Sequence, residues 1–151
     1  MTVAETAVEL RQVAGSFSKE LLAADAHAVA RRPAAGKWSS KEVLGHLIDS
    51  AANNHQRFVR AQQSDPLVLP GYEQNHWVQS QGYQDADWPR LVALWTQLNL
   101  HLADVIVRVP PDKYAVRCVI DDSTPITLEA LIIDYLRHLN HHIAQIRERL
   151  S

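Results

Sequence analysis

Toward one end of the chain the stretch RHLNHH, Arg137 to His142, sets His138, His141 and His142 within five consecutive positions. Residues four apart on an α-helix share one face with Cβ atoms about 5 to 6 Å apart, so His138 and His142 can converge on a single ion. His141 is turned about 100° away from His142 and faces elsewhere. With eight histidines among 151 residues, HxxxH spacing arises readily by chance. The pair needs a third ligand before it implies a metal.

His46 supplies that ligand. It falls on the helical stripe shared with Val43, Leu47 and Ser50, a mostly buried direction in which an unpartnered imidazole is unfavourable. It lies about two turns into its helix, and the HxxxH pair about two to three turns before the end of the last helix, so antiparallel packing levels the three. Three imidazoles on two rigid helices leave coordination positions open, the arrangement of a catalytic rather than a closed structural site. A carboxylate from the connecting loop, Glu73 for instance, would close it. Asp49 and Asp134 stand one turn from His46 and His138, spaced to orient an imidazole, and equally suited to solvated or salt-bridged roles.

Four segments with helical periodicity must position these groups. The first runs from about Ala4 to Ala30, opened by Thr2 and Glu5 at capping-box spacing, with Val8, Val13, Phe17, Leu21 and Leu22 as its apolar face. The second begins at SSKE, where Ser39 caps, Glu42 completes the box and Trp38 is placed as a hydrophobic staple; it continues to about Gln62. The third starts at Asp87 and stops at Pro110 and Pro111. The fourth opens at Thr127 and runs to the end. Ser64 to Asp87 is a long Pro-, Gly- and aromatic-containing connection, of the kind that carries function or crosses a fold. A shorter connection contains the extended-looking YAVRCVI. Four helices with one long crossover between the second and third predict an all-α four-helix bundle, with a site built from facing helices.

Composition narrows the function. Hydrophobic residues at 46% and charged residues at 21% are those of an ordinary globular protein, and 1–151 reads as a single domain. A net charge of -2 without a basic stripe argues against nucleic acid as a partner. No stretch approaches the roughly twenty apolar residues of a membrane span, and the N-terminus lacks a signal-like pattern, so a cytoplasmic location is expected. Cys118 is the sole cysteine, which removes disulfides and multi-cysteine zinc sites from consideration.

The stretch KWSSKEVLGHLIDSAANNHQRF resembles the second helix of the DinB/YfiT-like family of metalloenzyme candidates, and DYLRHLNHHIAQIRERL resembles that family's last helix, with its HxxxH followed by Gln-Ile. PGYEQNHW between them is similar to the connection of the YfiT-like branch, which includes the bacillithiol transferases. The resemblance extends over nearly the whole chain. It implies an up-down-down-up bundle, a divalent metal such as zinc or nickel held by His46, His138 and His142, and a homodimer. The family's activities are varied and include transfer of low-molecular-weight thiols.

The expectation is therefore a metal-dependent enzyme for a small-molecule substrate that activates a low-molecular-weight thiol for attack on an electrophile. Metal-dependent hydrolysis is the close alternative, and a non-enzymatic metal- or ligand-binding dimeric bundle a further one. Asp49, inside the matched HLIDS, is the more favoured orienting carboxylate. Tyr72, His76, Trp77 and Tyr83 in or beside the crossover are candidates to line the substrate pocket, with packing over the bundle end as their plainer role. Arg57, Arg60 and Arg137 are the cations available for an acidic portion of a thiol, and Gln145 is placed where it could face the site. His55 lies roughly 13 Å along the helix from His46, too far for the same ion.

Overall fold

The computed structural model describes residues 1–151. Its helices are α1 (Val3–Ala23), α2 (Ala26–Ala30), α3 (Ser40–Arg60), α4 (Gln74–Ser80), α5 (Trp88–Arg108) and α6 (Leu128–Leu150), with short strands β1 (Leu67–Leu69), β2 (Arg117–Ile120) and β3 (Ile126–Thr127). Each long helix begins where a polar side chain satisfies its free N–H groups. Thr2 with Glu5 and Ser39 with Glu42 form complete capping boxes, while Asp87 and Thr127 accept from Arg90 N and Ala130 N.

Cross-helix contacts fix the directions. Trp88 at the start of α5 donates to the Leu21 carbonyl at the end of α1, and Asp104 near the end of α5 pairs with Arg11 of α1, so the two run antiparallel. Arg149 of α6 donates to the Trp38 carbonyl just before α3, whereas Tyr135 meets Phe58 late in α3; these helices are also antiparallel. Glu9 and Glu20 of α1 meet Asn140 and Arg147 of α6 in the same order; Ile48 of α3 and Leu91 of α5 line one surface pocket, and further along both helices His55 meets His101. The long helices therefore run up, down, down, up in chain order and stand α1, α5, α3, α6 around the bundle. Because α3 and α5 are parallel neighbours, residues 61–87 must travel back along a helix of about 30 Å.

That crossover carries more structure than its composition suggests. β1 pairs in parallel with β2, with Leu67 opposite Cys118, and β2 pairs antiparallel with β3. This sheet closes the end where α3 and α5 finish and α6 begins. YAVRCVI is extended only over Arg117–Ile120, inside a three-stranded sheet rather than an isolated hairpin. α4 then packs along α3.

Two expectations for the first helix are corrected. It stops at Ala24, because the Asp25 carboxylate accepts from His27 N and Ala28 N and caps the separate helix α2. Its buried face is Val3, Ala7, Leu10, Ala14, Phe17 and Leu21, while Val8 and Leu22 are each 57% exposed. The seam is narrower than the apolar pattern. Phe17 meets the fully buried Trp95 of α5 edge to face at 5.7 Å, and Leu47, Phe58, Leu102, Ile132 and Leu136 complete the bundle centre.

Candidate metal centre

His46 projects from α3 toward α6, where His138 and His142 are stacked by one turn. Ring centroids are 5.2 Å apart for His46 and His138, 4.9 Å for His46 and His142, and 4.6 Å for the α6 pair. One nitrogen from each lies within 4.8 Å of the others, and His46 Nε2 is 3.4 Å from His138 Nε2. His46 is buried and the α6 pair half-buried. Desolvation, then the neighbouring imidazoles, push His46 down to about 3; burial and His142 take His138 to about 4; burial also lowers His142. Near neutral pH all three are uncharged, the form that ligates a metal.

The surroundings hold the rings in place. His142 Nδ1 lies 3.0 Å from Gln145 Oε1, which fixes a proton on Nδ1 and frees Nε2 for the centre. The Trp38 ring covers His46 at 5.1 Å between centroids, tilted by 38°. His141 is exposed at the rim, 5.3 Å from His142. Trp38 was legible only as a helix staple. Gln145 could be found from its position one turn after His142, on the same face.

The two carboxylates spaced to orient an imidazole do other work. Asp49 Oδ1 accepts from Tyr83 Oη at 2.6 Å and Gln81 Nε2 at 2.8 Å, and Asp49 makes no hydrogen bond to the three imidazoles. Its Oδ2, like His46 Nδ1, is buried without a partner. Asp134 is paired with Arg137 on its own helix. Tyr83 reaches Asp49 because its ring lies flat against Gly45, where a Cβ would stand 2.1 Å from Tyr83 Cδ2.

Beside His138 opens a cavity of about 260 Å³, lined by Ser50, Asn54, Arg57, Tyr72, Tyr135 and His138 among others. Of the four loop residues expected to line a pocket, the structure brings Tyr72 to this cavity. Trp77 packs on Tyr72 at 5.1 Å, His76 is exposed on α4, and Tyr83 is buried between the crossover and α3. Glu73 caps α4 through Asn75 N and His76 N, so the ligand cluster contains no carboxylate. An all-imidazole set suits zinc, nickel, cobalt or copper and not the oxygen-seeking magnesium or calcium. The residues present therefore fit a transition metal.

The DinB superfamily model matches residues 9–146. The chain belongs to the DinB superfamily. It is 29% identical over 115 residues to YfiT of Bacillus subtilis, and 25% identical over 115 residues to BH0277 of Halalkalibacterium halodurans, both named as candidate metal-dependent hydrolases. These alignments take in 75% of this chain and 64% and 66% of the relatives, so it spans just under two thirds of their length. The solved structure of Bacillus subtilis YfiT, described as an unusual four-helix bundle, superposes with a TM-score of 0.88 at 22% identity, over 97% of this chain and 85% of that one. This likeness shows the fold. No helix is long and apolar enough to cross a membrane.

Proposed function

We propose that this chain is a metal-dependent hydrolase of small molecules, with His46, His138 and His142 holding a divalent transition ion such as zinc or nickel. The observation that carries this is the convergence of three neutral imidazoles, without a closing carboxylate, beside a polar cavity. An ion held there would supply Lewis acidity toward a substrate carbonyl or toward the proton of a water or thiol.

The remaining work falls to side chains. Gln145 holds His142 with Nε2 inward, Trp38 excludes water from the back of His46, and Tyr72 covers the cavity from the crossover. Asp49, one turn from His46, is held by Tyr83 and Gln81 through Oδ1, which fixes the crossover against α3 beside the ligands.

A second reading is transfer of a low-molecular-weight thiol to an electrophile. It is favoured by the uncharged ligand set, which leaves an ion's full positive charge to stabilise a thiolate. The test is turnover of a panel of small esters, amides and lactams, and of electrophiles supplied with thiols, by zinc- or nickel-loaded and metal-stripped protein. Metal-dependent hydrolysis abolished in His138→Ala is the expected result. Thiol consumption with no hydrolysis would select the second reading, and no metal-dependent turnover of either kind would remove both.

A further inference from the structure

Two arginines of this chain are half-buried, and they are treated differently by the fold. Arg149 donates to the Trp38 carbonyl. Arg57 lines the cavity that reaches His138, yet its guanidinium makes no hydrogen bond and belongs to none of the five ion pairs. A guanidinium carries five donors in a planar fork, and those of Arg57 are turned to the cavity with no protein acceptor bound to them. Such a group in a cavity wall is free to meet a ligand.

Its position says which part of a ligand it meets. His46, Ser50, Asn54 and Arg57 follow one another along one face of α3, and eleven residues separate His46 from Arg57, about 16 Å along the axis. The cavity spans this interval, with Arg57 in its wall at one end and His138 at the other. Tyr135 and His138 of α6 form the facing wall, and the Tyr72 phenol stands beside Arg57 and Ser50. Two carboxylates also line the cavity: Asp121, whose Oδ1 accepts from Gly71 N at 2.7 Å and whose charge is felt by Arg57 without an ion pair forming, and Asp134, which is paired with Arg137. Their charge disfavours a dianion such as a phosphate monoester. A single carboxylate matches the fork in geometry and charge.

We propose that Arg57 is the subsite for a carboxylate at the far end of the substrate, so that this enzyme acts on short linear molecules with the reacting bond at the three imidazoles and a carboxylate at the other end. The substrate class rests on the metal-enzyme reading above; the anion subsite does not.

The test has two arms chosen to separate those claims. In metal-free protein, the ¹⁵N resonance of Arg57 Nε is followed during titration with glutarate or neutral glutaramide. In cobalt-loaded protein, Kd values are measured from the visible absorption bands for the monohydroxamates of succinic, glutaric and adipic acids and for the matching terminal amides. Charge-assisted hydrogen bonds predict that the best-fitting acid binds about tenfold to a hundredfold more tightly than its amide. The preference should vanish in Arg57→Gln and be partly retained in Arg57→Lys, while cobalt loading and its spectrum without probe stay unchanged. Equal binding of acid and amide by the wild type, or a preference that survives Arg57→Gln, would overturn the subsite. Failure of cobalt to bind, with glutarate alone still shifting Arg57, would remove the metal reading and leave the subsite standing. A flat response to glutarate as well would remove both.

Discussion

His46 Nε2 and His138 Nε2 stand 3.4 Å apart across the seam between α3 and α6, from residues 92 positions apart in the chain. Two nitrogens each about 2.1 Å from a tetrahedral ion are separated by roughly 3.4 Å. As a hydrogen bond between neutral rings the contact is long. As two corners of a coordination shell it fits, and antiparallel packing of α3 on α6 is what produces it.

Gln145 sets the tautomer of His142, so Gln145→Leu should weaken metal binding by about tenfold to a hundredfold while leaving the fold intact. Metal-binding titrations beside thermal melts of the metal-free proteins check this. Unchanged affinity would show that Gln145 only accompanies the ligand.

Gly45 gives the Tyr83 ring its place. Gly45→Ala would force the ring and its bond to Asp49 aside, costing about 1 to 3 kcal/mol as overpacking does, despite alanine's better helix propensity. Urea unfolding measures it. A variant as stable as the wild type would mean that the crossover moves freely over α3.

Glu42 predicts an acid-sensitive component of stability. Burial alone would raise its carboxyl, but bonds from Arg32 and from Ser39 outweigh that and leave it below the usual range. A carboxyl lowered on folding contributes stability that is full above its unfolded value of about 4.3 and lost as pH falls through the folded value. Glu42→Gln should be less stable at pH 7 and flatter in its pH dependence below about 4.3. Urea midpoints from pH 7 to 3 test this, with equal acid slopes as the contrary result.

Chelation should lower the melting temperature of metal-loaded protein, since the three ligands come together only in the folded chain. At a free metal concentration about a hundred times Kd the stabilisation is about 2.7 kcal/mol, equivalent to roughly 5 to 10 °C for a chain of this size. Scanning calorimetry with and without a chelator reads it. A metal-independent melt would place the ion's binding outside the folded centre.

The bundle and the triad were legible in the sequence because each depends on local periodicity: HxxxH within one helix, His46 on the stripe of another, caps at Ser39 and Thr127. What escaped depends on residues far apart in the chain. The parallel pairing of Leu67 with Cys118 has no local signal, and the Tyr83 contact with Gly45 becomes visible only once the crossover runs back along α3. Asp49 had the right spacing for an imidazole partner, but Tyr83 and Gln81 claim it from the other side. Val8 and Leu22 failed as core positions because a bundle seam buries a strip narrower than the full run of apolar residues.

The most direct measurement is elemental analysis of untagged protein, purified without chelator and then offered zinc or nickel, with His142→Ala treated in parallel. About one transition metal per chain in the wild type, and far less in a folded His142→Ala, is the expected result. Equal metal content in both, or none in the wild type after loading, would contradict a three-imidazole centre.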